Sequence, residues 1–262
     1  MVLIAAVIAI VVAFLATYLW ASVDAKRSLS GDPAAAAAPP NVPRVTLSGD
    51  KNPDEPTTTK PPEILSEGDL AKKVAASVRA VSTLDDAGQP VQGTAFVVGS
   101  FSGQTYLLTS FAVVKASTRS PGPGILISGN QQATLWTWQE ERDLALLVVN
   151  GQIESLPWAS VPPKQGEKIW AGGAGQKLAA GVALNSSDTG IDHNIFVDDV
   201  RQGAPLVTQK GEVVGMVSRL YNPSGKGTDS LYIAVPIRIS CERMLRCGGG
   251  NTVPGVTPTT RP

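Results

Sequence analysis

Residues 105–114 read TYLLTSFAVV. The first seven, Thr105–Phe111, mix β-branched and aromatic residues with leucine and contain no helix-favouring charge pattern, so they read as a strand. Moving outward, the same kind of short apolar run recurs between turn residues. The runs fall near 77–83, 94–100, 124–129, 132–138, 144–150 and 167–173, and then near 179–187, 195–199, 204–209, 212–220 and 231–237. Gly, Asn, Ser and Pro separate them. A dozen strands at short spacing predict an all-β barrel or sandwich. Two helices are expected beside them. One covers residues 66–76, where Ser66 and Asp69 are spaced as a capping pair. The other covers 238–246 and stops at a glycine run.

Composition narrows the possible functions. Lys+Arg and Asp+Glu are both 22, so the formal net charge is zero, and no long basic run is present. Nucleic acid is excluded as an expected partner. The single histidine, His193, and two cysteines cannot assemble a zinc site, so no metal and no cofactor are expected.

The chain divides by composition. Residues 1–20, MVLIAAVIAIVVAFLATYLW, contain no charged side chain. As a helix they would span roughly 30 Å, the thickness of a bilayer's hydrocarbon core. Residues 1–22 are therefore expected to be a transmembrane helix or uncleaved signal anchor, with a cleaved signal peptide as the alternative. Lys26 and Arg27 after it would by themselves place the rest in the cytoplasm. Residues 23–67 hold eight prolines between 28 and 66 together with Ala and Thr runs, the mark of a linker. Residues 68–247 form the expected folded domain, and 248–262 a disordered tail.

Six segments within the domain, in order, resemble the trypsin-like peptidases, specifically their bacterial HtrA-type branch. They are GTAFVVG (93–99), YLLTSFAVVKA (106–116), ERDLALLVV (141–149), GEKIWAGGAG (166–175), VRQGAPLVTQKGEVVGMVS (200–218) and YIAVPIRI (232–239). The resemblance covers about residues 70–246. It implies a trypsin-like fold of two six-stranded antiparallel β-barrels with a C-terminal helix. About sixteen residues follow residue 246, so the peptide-binding PDZ module of many such proteases is not expected.

The resemblance also implies a catalytic triad, and here the residues depart from it. The mechanism needs a serine nucleophile, a histidine base and an aspartate that orients the histidine. The matching positions are Gln202, Ala112 and Asp143. Alanine transfers no proton, and a glutamine amide is not a nucleophile toward a peptide bond. The loop whose backbone N–H groups would bind the oxyanion carries Val200 in place of glycine, Arg201 and a retained Gly203. Valine resists turns that glycine accepts, so a changed loop is expected. Asp143 would need new donors, and Ser110, Gln202 and Arg201 are candidates. His193 reads as an exposed loop histidine rather than a relocated base. Asp198 and Asp199 beside Arg201 read as turn ion pairs. A Ser110–Lys115 dyad stays open as an alternative nucleophile.

The resemblance further implies a peptide groove along Val217, Ser218, Arg219 and Leu220, with an unpaired strand edge for an extended partner. The expectation is a membrane-anchored pseudoprotease that binds a protein or peptide on the outer face of the membrane. The alternatives are an active peptidase with a non-standard nucleophile, or a structural spacer. Cys241 and Cys247 are a disulfide candidate if the last helix ends early.

Overall fold

The computed structural model describes residues 63–223, 232–246 and 257–258. The expected anchor at 1–22, nearly all of the linker, Cys247 and most of the tail lie outside them. Among the described residues no helix is long and apolar enough to cross a membrane.

Helix α1 (Glu67–Ser77) opens the domain. Its cap is the expected one: Ser66 Oγ accepts from the Asp69 N–H at 3.2 Å and donates to Asp69 Oδ2 at 2.6 Å. The helix buries Leu70 and Val74 one turn apart. Strands β1 (Val78–Leu84), β2 (Pro90–Phe101), β3 (Gln104–Thr109), β4 (Ile125–Ile127), β5 (Gln131–Gln139) and β6 (Leu144–Asn150) follow. They close a barrel in the order β1-β2-β3-β6-β5-β4. Strands β7 (Lys168–Ala171), β8 (Ala179–Ser186), β9 (Ile191–His193), β10 (Pro205–Thr208), β11 (Val213–Met216) and β12 (Tyr232–Pro236) close a second, in the order β10-β11-β12-β9-β8-β7. Helix α3 (Ile237–Arg243) follows β12, Leu245–Arg246 after it pairs antiparallel with Thr257–Pro258 of the expected tail, and α2 (Phe111–Val114) is a single turn after β3. The trypsin-like two-barrel expectation is met.

The hydrophobic runs are nearly continuous because the central strands are buried on both faces. In β6, Leu144, Leu146 and Val148 face the core between the barrels, while Ala145, Leu147 and Val149 face the interior of the first barrel. Strand β2 divides the same way, with Phe96 and Val98 on one side and Ala95 and Val97 on the other. Leu70, Trp170, Val207, Met216 and Ile239 complete the shared core, so it draws on both barrels and both long helices. The second barrel has its own interior around Ile169, Ile191, Leu206 and Ala234.

Four local expectations are corrected. Residues 195–199 are not a strand. Ile195 and Val197 do enter the second core, but their backbone turns away, and the strand is β9, whose His193 pairs with Ala183 and Tyr232. Strand β11 stops at Met216 instead of reaching residue 220, because the following backbone folds onto its own side chains. Strand β3 stops at Thr109, and Phe111–Val114 turn into α2 instead of extending it. Helix α3 ends at Arg243, and Cys241 is disulfide-bonded.

Candidate functional site

The barrels meet where α2, the turn before β6, the loop before β10 and the segment after β11 converge. Asp143 sits at the end of a 3₁₀ turn (Glu140–Arg142) with φ 51° and ψ 39°, a left-handed conformation unusual for a non-glycine residue. Its backbone is held by Asp143 N donating to Glu140 O and by Phe111 N donating to Asp143 O. The turn directs the carboxylate inward, where the residue is 4 % exposed.

Four donors surround that carboxylate. Ser110 Oγ lies 2.7 Å from both oxygens. Ala112 N donates to Oδ1 at 2.8 Å. Gln202 Nε2 donates to Oδ2 at 2.9 Å, and Ser218 Oγ to the same oxygen at 2.6 Å. All four are neutral. Burial pushes the carboxyl pKa up, and the donors from Ser218, Ser110, Ala112 and Gln202 pull it back only in part. Of the expected donors, Ser110 and Gln202 reach Asp143. Arg201 does not; its guanidinium pairs with Asp198 at 2.8 Å. Ser218 and the Ala112 amide were not anticipated, because nothing in the sequence marks which residue after β11 turns back into the junction.

Gln202 reaches across the junction to the Asp143 carboxylate. Its amide nitrogen bridges Ser110 Oγ, at 2.7 Å, and Asp143. Its amide oxygen accepts the Arg219 N–H at 2.8 Å. Ala112 and Gln202 thus meet at one carboxylate: the Ala112 N–H donates to Oδ1, and the long side chain of Gln202 brings an amide to Oδ2.

The loop backbone is held by its own hydrogen bonds. The Gln202 N–H points back at Asp198 O and Asp199 O, at 3.1 and 3.3 Å, and Ala204 N donates to Arg201 O. Thr94 ties this loop to the first barrel. Thr94 N donates to Gln202 O at 2.9 Å, and its hydroxyl donates to Val200 O at 2.6 Å and accepts from Ala174 N. That staple carries no sequence signal. Gly203 has φ +84°, and a Cβ there would lie 2.4 Å from Thr94 O, so only glycine fits.

The expected groove is reshaped. Val217 is buried and pairs with Gly203 and Ala204 through its backbone. The Arg219 N–H goes to Gln202, and the Leu220 and Tyr221 N–H groups go to Ser218 Oγ at 3.1 and 2.8 Å. Residues 217–220 are therefore not an open strand edge, which corrects the expectation: the side chains of Ser218 and Gln202 occupy the donors that an incoming strand would use. A cleft of about 500 Å³ remains beside them, walled by Pro90, Gln92, Ala112, Gln202, Arg219 and Leu220. A smaller one of about 270 Å³ lies against Ala112, Asp143, Leu220 and Tyr221.

The other singled-out residues separate from the junction. His193 is fully buried, not an exposed loop histidine. It accepts the Ile195 N–H through Nδ1 at 3.2 Å and stacks on Tyr232, and burial lowers its pKa to about 4. Its place in β9 puts it in the interior because it is flanked there by β8 and β12. Lys115 pairs with Glu140 at 3.2 Å and Ser110 is taken by Asp143, so the two do not form a dyad. Asp198 pairs with Arg201, whereas Asp199 pairs with Arg219. Among the described residues no group of three or more metal-ligating side chains occurs.

The sequence model of the family described as "Trypsin-like peptidase domain" matches residues 93–216. The fold is similar to that in the crystal structure of Deg5, with a TM-score of 0.54 and 15% sequence identity over 69% of this chain and 95% of that one. No curated protein matches the chain. The matched segment runs from β2 through β11 and contains Ala112, Asp143 and Gln202, so the chain carries a trypsin-like peptidase domain.

Proposed function

We propose that this domain is a pseudoprotease, a trypsin-like scaffold that binds a protein or peptide without hydrolysing it. One observation carries the reading: the Gln202 amide, at the position where the nucleophile is expected, is hydrogen-bonded to Asp143 and Ser110. Hydrolysis needs a base poised beside an exposed nucleophile. At this junction the hydroxyls of Ser110 and Ser218 are buried and committed to the carboxylate. The inward-turned Gln202 N–H supports the same reading, since an oxyanion would find that donor already taken. Losing nucleophile and base together costs a protease about a millionfold in kcat.

Binding is assigned to the cleft between Pro90–Gln92 and Arg219–Leu220. Leu220 is 69 % exposed and supplies an apolar contact, and the Arg219–Asp199 pair offers charge at the rim. The occupied amides of 219–221 argue against strand addition along Val217–Leu220, so side-chain capture is the mode proposed. We place the domain outside the cytoplasmic membrane, anchored by residues 1–22, because an exported domain suits the resemblance and an oxidised Cys241 suits an oxidising compartment.

The test combines two measurements. A serine-reactive fluorophosphonate should label no residue of the native protein. A photocrosslinker placed at Leu220 or Gln92 should capture a partner that the same probe at Val161, outside the cleft, does not. Stoichiometric labelling of one serine would overturn the non-catalytic reading. Equal capture at both positions would overturn the cleft. Added protease should reach the domain on intact cells; protection would reverse the orientation.

A further inference from the structure

We propose that the junction performs one reaction on itself: Ser110 Oγ attacks the side-chain carbonyl carbon of Gln202, ammonia leaves, and an ester joins the two barrels. The residues assemble what an intramolecular acyl transfer needs. Ser110 Oγ lies 2.7 Å from Gln202 Nε2. The carbonyl carbon is one bond of about 1.3 Å beyond that nitrogen, hence within about 4 Å of the oxygen. An approach of less than about 1 Å, with the amide's other contacts kept, brings it to attack distance.

Both proton steps use Asp143. Its carboxylate accepts the Ser110 hydroxyl at 2.7 Å and sits 2.9 Å from the nitrogen that must leave. It can take the hydroxyl proton as the C–O bond forms and return it to the nitrogen as the C–N bond breaks. The balance closes on the chain's own atoms: a hydroxyl and a primary amide become an ester and ammonia, with no oxidant or other reactant. Burial keeps this carboxyl above the usual range, which makes it a stronger base. The Arg219 N–H, 2.8 Å from Gln202 Oε1, is placed to stabilise charge developing on that oxygen.

The surroundings favour the product. Ser110 and Asp143 are buried and Gln202 is 6 % exposed, so water reaches the ester only by way of the clefts that Gln202 and Asp143 line. The ammonia diffuses away and is protonated in bulk. Ser110 follows β3 in the first barrel, and Gln202 precedes β10 in the second. The bond would tie together loops otherwise joined by Thr94 and the shared core. This inference is independent of partner binding, because it concerns only the chain's own side chains.

The experiment uses the full chain, purified folded and incubated at neutral pH, then digested and analysed by mass spectrometry. The expected result is a linked peptide pair containing Ser110 and Gln202, lighter than the sum of the two by about 17 Da, the mass of ammonia. Dilute base should separate the pair, and ammonium should appear at one equivalent per chain. The same protein incubated in urea should give no link, since the reaction needs the assembled junction. S110A should show both peptides unlinked. If the wild-type chain, folded and fully aged, yields both peptides at full mass, the proposal is wrong whether or not S110A folds. A link that also forms in urea would show that the junction geometry is not its cause.

Discussion

His193 gives the domain a stability that depends on acid in one direction. The imidazole is fully buried between β8 and β12, stacked on Tyr232, with Nδ1 accepting the Ile195 N–H. Protonation would place a charge in that setting and convert the acceptor into a donor facing another donor. Burial therefore lowers the pKa from 6.5 to about 4. A depressed pKa contributes stability that is fully present above the unfolded value and is lost as pH falls through the folded one. The gap, at about 1.4 kcal/mol per pH unit, amounts to roughly 3 kcal/mol lost between about pH 7 and pH 4. Asp143 acts in the opposite sense. Its raised pKa means its contribution is present below about 3.8 and is lost as pH rises through the folded value. A difference measurement removes it. His193→Asn keeps an acceptor for the Ile195 N–H but does not titrate, so it carries a constant packing loss. Urea unfolding of both proteins across this range should show wild type losing roughly 3 kcal/mol more than the variant on acidification. Parallel curves would refute the claim that His193 is held neutral by burial.

Other substitutions test the junction. Asp143→Asn should cost about 2–4 kcal/mol in urea unfolding, because one oxygen cannot accept from Ser110, Ala112, Gln202 and Ser218 and the new amide faces donors. Gly203→Ala should cost about 3 kcal/mol or more, or prevent folding, since its Cβ would lie 2.4 Å from Thr94 O at φ +84°. Removing the exposed Lys168–Glu67 ion pair should change stability by less than about 1 kcal/mol, a control for nonspecific loss. Ala112→His with Gln202→Ser should restore little peptide hydrolysis until Val200→Gly is added. Equal activity with and without that third change would show that the loop, with its Gln202 N–H turned toward Asp198, does not limit catalysis.

Much of this was legible in the chain. The apolar runs of β2, β3 and β6 are long and β-branched because each strand must satisfy two cores at once, and that demand is written residue by residue. The Ser66–Asp69 cap is local and was readable for the same reason. Ala112, Asp143 and Gln202 could be singled out once the segments were placed in order. What could not be read was how they meet. Ala112 and Gln202 are ninety residues apart in sequence by numbering. Only closure of the two barrels brings the Gln202 amide to the carboxylate that the Ala112 N–H also reaches, and only the turn after β11 sends Ser218 there. The sequence determines which elements form, through short-range periodicity and turn chemistry. Which buried donor meets which buried acceptor was decided by tertiary packing, because hydrogen bonds between distant segments depend on where the chain has already placed them. That is why His193, between the polar Asp192 and Asn194 in sequence, ends in the interior, and why residues 217–220 close on themselves instead of staying an open edge.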